Sequence, residues 1–135
     1  MRVLDNLVPE KVFYYFEELC NIPHGSTNTK AISDYCVNFA KERGLAYHQD
    51  AENNIIILKN GSKGYEDSKP VIIQGHLDMV CEKEADCTID FEKDGLSLAI
   101  DGDYIYAEGT TLGGDDGIAV AMALAILDDD TLEHP

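Results

Sequence analysis

A chain of 135 residues with 44% apolar and 27% charged side chains has the make-up of one globular domain or part of one. Ten basic against 26 acidic side chains leave a formal charge of −16; such a surface repels nucleic acid and anionic membrane and favours a bound cation, although solubility accounts for most of the charge. No apolar run reaches membrane-spanning length, and the opening Met1-Arg2-Val3-Leu4-Asp5 lacks the shape of a signal peptide, so a cytoplasmic protein is expected.

Residues 9–20 predict the first helix. Pro9 suits the first helical position and Glu10 the first turn. Val12, Phe13, Phe16, Leu19 and Cys20 recur at three- and four-residue spacing, which makes an amphipathic stripe. Asn21-Ile22-Pro23-His24-Gly25 breaks the helix. A second helix is predicted from near Ser26 or Thr27 to about Arg43, with Ile32, Tyr35, Cys36, Phe39 and Ala40 as its stripe and Gly44 just past its end. Both stripes should pack on a sheet. Of the four cysteines, Cys20 and Cys36 belong to these apolar faces and read as core. Cys81 and Cys87 carry no assigned role. None of the four forms a C-x-x-C pair, so reduced thiols are expected.

Strands are predicted over 46–50 and 53–60, with a turn at 50–52 and a polar loop over 61–69. His48 falls on the first of these strands and is expected to be exposed. After Pro70, the run Val71-Ile72-Ile73 reads as a short buried strand ended by Gly75. His76 and Asp78 follow two positions apart and should leave the strand on one face, at the carboxyl end where open α/β sheets bind ligands. A neutral imidazole held by a carboxylate is the usual form of a metal-ligating histidine. The same two residues could equally be a polar strand terminus. Residues 82–92 are acidic and irregular, and should lie on the surface. Residues 96–107 alternate around Asp101-Gly102-Asp103 and predict a hairpin.

Thr110-Thr111-Leu112-Gly113-Gly114-Asp115-Asp116-Gly117 leads into an apolar helix over 118–127, expected to be buried on nearly every side. Asp128, Asp129 and Asp130 oppose its dipole, so the helix should stop at or before them. Asp115 stands where backbone N–H groups keep a carboxylate ionised; a simple helix cap explains it as well. His24 and His134 are read as structural and loop residues.

The two sites together are more telling than either alone. Gly75-His76-Leu77-Asp78-Met79-Val80 has the form G-H-x-D-x-V, and Gly113-Gly114-Asp115-Asp116-Gly117 places an Asp after small residues at a helix start. In both, the chain resembles the cocatalytic zinc exopeptidases. The stretches 74–83 and 109–118, and the helix-breaking Asn21-Ile22-Pro23-His24-Gly25-Ser26, are most similar to the Xaa-His dipeptidase branch of that family.

The resemblance implies a three-layer α/β/α catalytic domain, of which residues 1–135 are the N-terminal part with a mixed sheet. It implies that His76 binds one zinc ion, that Asp78 supports His76 in catalysis, and that Asp115 bridges two zinc ions, with cobalt or manganese as possible substitutes. Asp116 takes no ligand role, and the peptide bond after the bridging Asp is often cis. The implied reaction is hydrolysis of small peptides, of Xaa-His type with broad specificity, by metal-activated water. A Glu-Glu pair, a further acidic ligand, a distant His and a lid domain for homodimer formation are all missing from these 135 residues. The chain alone is therefore expected to be inactive. Two other readings remain open: a non-catalytic α/β binding module, and a related deacylase or amidohydrolase.

Overall fold

The computed structural model describes residues 2–135. In chain order the elements are α1 (Glu10–Cys20), α2 (Lys30–Glu42), β1 (Ala46–Gln49), β2 (Ile55–Leu58), β3 (Leu98–Asp101), β4 (Tyr104–Ala107) and α3 (Gly114–Leu127). The expected α/β architecture is present. Among the described residues its sheet component consists of two antiparallel hairpins, β1–β2 and β3–β4, and two isolated bridges, a parallel one between Gly25 and Met79 and an antiparallel one between Lys83 and Thr110. No helix among them is long and apolar enough to cross a membrane.

Helix α1 packs against α3, and α2 packs against the β1–β2 hairpin. Phe16, Leu19 and Cys20 of α1 meet Ala121, Leu124 and Ala125 of α3 in the buried cluster, which also takes in Ile32 and Phe39 of α2. Burial is the main favourable term here, and it falls on the spacings that the sequence displays. Burial also pushes the thiols of Cys20 and Cys36 up to about 12, so both are inert, protonated core groups. The α2 stripe ends where expected, with Gly44 at φ +65° just past the helix. The β3–β4 register pairs Asp101 with Tyr104, which leaves Gly102-Asp103 as a two-residue turn.

Five expectations need correction. The α1 stripe packs on α3 and not on a sheet, and α2 starts at Lys30, not near Ser26 or Thr27. Pro9 caps α1 rather than opening it. Residues 71–75 pair with no strand among the described residues, and Val71, Ile72 and Ile73 are 68, 87 and 54% exposed. An apolar run signals a strand that wants covering on both faces, but a strand forms only where a neighbour offers a hydrogen-bonding edge. Neither hairpin pairs an edge with it here. Helix α3 is also less covered than its composition suggests. Ala121, Leu124 and Ala125 are buried, whereas Met122 and Ile126 are exposed, because α1 shields only one side. A cleft of about 580 Å³ lies along the uncovered side, between β2 and α3, with Asn53, Ile57, Val120 and Leu127 in its walls.

Glu17 is a buried charge that the apolar pattern conceals. Its carboxylate accepts hydrogen bonds from the backbone N–H groups of Val3 (2.8 Å) and Leu4 (3.1 Å), tying the N-terminal segment to α1. Such charge-assisted bonds repay the burial.

The far end of α3 is tied by cations from three parts of the chain: α1, the end of α2 and the residue after β2. Arg43 Nε donates to Asp128 Oδ1 at 2.5 Å, and Lys11 Nζ lies 3.0 Å from Asp128 Oδ2. Lys59 Nζ donates to the carbonyls of Leu127 and Asp129 at 2.9 and 3.0 Å. The open carbonyls of the last turn thus gain partners. Burial pushes the Asp128 carboxyl up, but hydrogen bonds from Arg43 and Lys11 outweigh it and hold the group below its usual range. A carboxyl held low in the folded state stabilises above its unfolded pKa of about 4 and loses that contribution as pH falls through the folded value. Melting temperature measured against pH should therefore drop below about pH 4, and Asp128→Asn should flatten that drop while lowering stability at neutral pH.

Candidate metal-binding site

The segment carrying His76 and Asp78 is held from both sides. On one side, the backbone N–H of Met79 donates to His24 O at 3.0 Å. On the other, the Thr111 hydroxyl donates to Val80 O at 2.7 Å, and its N–H to Glu82 O at 2.9 Å. The Asn21–Ser26 turn and the loop entering α3 therefore clamp the segment between them. His24 is buried; its Nδ1 pairs with Ile22 O at 2.6 Å, and burial holds its pKa below the usual value. It is a neutral part of this clamp, as the structural reading expects. His48 is exposed. His134 lies in a loop, where its N–H donates to Ser62 Oγ at 2.8 Å.

His76 and Asp115, 39 positions apart, converge. His76 Nε2 is 3.0 Å from Asp115 Oδ1, and His76 Nδ1 is 3.0 Å from both Asp78 Oδ1 and the Asp78 carbonyl oxygen. The Ser26 hydroxyl and His76 hold the Asp78 carboxyl below its usual range, so it is ionised and fixes the Nδ1 proton. Hydrogen bonding to Asp115, with Asp78 adding to it, raises the His76 pKa. The peptide bond between Asp115 and Asp116 is cis, as the resemblance leads one to expect.

This geometry sets a chemical requirement. With the Nδ1 proton given to Asp78, Nε2 presents a lone pair to a carboxylate oxygen that presents another. Two acceptors at 3.0 Å repel unless a cation, either a proton or a metal ion, lies between them. The donor types suit zinc: one imidazole nitrogen and one carboxylate oxygen, with the ring's second nitrogen held by a carboxylate. The set is partial. Among the described residues no group of three or more His, Cys, Asp or Glu side chains could hold a metal ion, and a zinc site needs three or four ligands. Asp116, given no ligand role from the sequence, instead lays its carboxylate against Gly75.

The fold matches part of an aminoacylhistidine dipeptidase. The chain superposes on the crystal structure of aminoacylhistidine dipeptidase from Vibrio alginolyticus with a TM-score of 0.93 and 37% identity, covering 97% of this chain and 27% of that one. In sequence it is 42% identical over 134 residues to the cytosol non-specific dipeptidase of Escherichia coli (strain K12), covering 99% of this chain. By sequence and fold the chain is similar to these two dipeptidases, and it spans 28% of the length of the Escherichia coli relative. No family model matches it.

Proposed function

We propose that this chain contributes the first residues of a two-zinc centre in a dipeptidase that cleaves Xaa-His and other dipeptides. The observation that carries this reading is the face-to-face approach of His76 Nε2 and Asp115 Oδ1 at 3.0 Å, with the imidazole oriented from behind by Asp78. Zinc at such a pair would supply Lewis acidity toward a peptide carbonyl and a water acidic enough to ionise near neutral pH. His76 offers one neutral ligand. Asp115, at the head of α3, offers the charge and the two oxygens that a shared ligand between neighbouring ions requires. Asp78 keeps the Nδ1 proton in place so that Nε2 stays free to bind. The remaining ligands and the general base are assigned to residues outside these 135. The kinship with dipeptidases supports peptide bonds as the substrate class. We assign the whole enzyme to the cytoplasm, as a homodimer without nucleic-acid or membrane partners, in keeping with a net charge of −16.

The test is hydrolysis of Xaa-His dipeptides by the full-length protein, zinc-loaded and after chelation, beside the isolated 135-residue chain. Cleavage that needs metal and is absent from the isolated chain is expected. Turnover of N-acyl amino acids in place of dipeptides would move the protein to the deacylases.

A further inference from the structure

The two turns of the site meet at more than one point. A Cβ placed on Gly75 would lie 2.7 Å from Oδ2 of Asp116 and 3.3 Å from Cγ2 of Val120. A Cβ placed on Gly113 would lie 3.0 Å from Sδ and 3.1 Å from Cβ of Met79. The arrangement is reciprocal. The glycine just before His76 receives the side chain just after Asp115, and the glycine two positions before Asp115 receives a side chain three positions after His76. Contacts this close, in a medium packed to crystal density, fix one backbone against another.

Asp115 needs such help. Its side chain is 96% exposed, and among the described residues its carboxylate makes no hydrogen bond except the one with His76. Nothing around the carboxylate itself holds it in place, so its aim must come from the backbone on either side. We propose that Asp116 and Met79 are positioning residues. Each occupies the space left by the other turn's glycine, and the paired contacts set the register that brings His76 and Asp115 together. Met79 is suited to this, since it is buried and its thioether adapts to an irregular gap. Asp116 acts through shape, not as a ligand. The functional meaning of this register rests on the metal-pair reading above, but its structural content does not.

Gly75 is the informative position. Its φ is not positive, whereas Gly113 sits at φ +71°, where any side chain is strained. A methyl group on Gly75 therefore meets the Asp116 carboxylate and Val120 first. The experiment is a double-mutant cycle of Gly75→Ala and Asp116→Ala in the metal-free 135-residue chain. Its readouts are the His76 imidazole and Asp115 amide NMR signals and the melting temperature. Each single change is expected to move both signals. The double variant should return most of the way, because the alanine methyl refills the space that the carboxylate vacates, so the effects are strongly non-additive. Additive effects, or His76 and Asp115 signals unmoved by Gly75→Ala, would overturn the proposal. If Gly75→Ala does not fold, Asp116→Ala alone decides: a shifted His76 signal supports the register, and an unmoved one refutes it. Because no metal is added, failure here leaves the dipeptidase reading standing.

Discussion

Asp115→Asn in the full-length enzyme should lower kcat/KM by about a thousandfold, equivalent to about 4 kcal/mol of transition-state stabilisation. The amide keeps the volume of the carboxylate but removes the charge opposite His76 Nε2, together with the second anionic oxygen that a shared ligand must have. The carboxylate is almost fully exposed, so the melting temperature should change little. This separates a chemical loss from a folding defect. Asp78→Asn acts one bond further away, through the imidazole, and should cost about 10–100-fold in metal affinity. Steady-state kinetics with bound-zinc analysis on the purified variants would check both. Near-normal turnover by Asp115→Asn would remove the centrepiece of the proposed site.

The largest expected loss of stability comes from Phe16→Ala. Phe16 is buried at the α1–α3 contact, and its ring lies 3.4 Å from where a Cβ of Gly117 would stand. Truncation removes the transfer free energy of the ring and leaves a cavity beneath the head of α3, at a cost of about 3–5 kcal/mol. Against a total of about 5–15 kcal/mol for a typical domain, that is a large fraction, and the melting temperature should fall by about 10 °C or more. Urea denaturation followed by circular dichroism would measure it. A loss below about 1 kcal/mol would mean that α3 does not depend on α1 for its seat.

These two variants also separate what the residue order makes legible from what it hides. The α1 and α2 stripes, Gly44 past the end of α2 and the turn between β3 and β4 are local patterns, and each is where the spacing predicts it. The convergence of His76 with Asp115 was legible for a different reason: two motifs of fixed composition occur together, and their resemblance to known exopeptidases tied them. Covering layers were not legible. Val71, Ile72 and Ile73 have the composition of an interior strand, yet composition does not say which edge or layer stands beside them. The one-sided burial of α3 is concealed in the same way, because a helix apolar all round gives no sign of which side meets α1. Glu17 and the seat of Asp116 on Gly75 depend on contacts between distant parts of the chain. The only local hint of the latter was a glycine directly before the histidine.

Helix α3 is held in place by unlike means at its two ends. At its head, side chains fit into the gaps of glycines; at its tail, Arg43, Lys11 and Lys59 gather on the last carbonyls and Asp128. Molar salt shortens electrostatic screening to about 3 Å, close to the lengths of the second kind of fastening, whereas the first does not depend on charge attraction. Concentrated salt should therefore loosen the protein from the tail of α3, while the pair of residues at its head keeps its register.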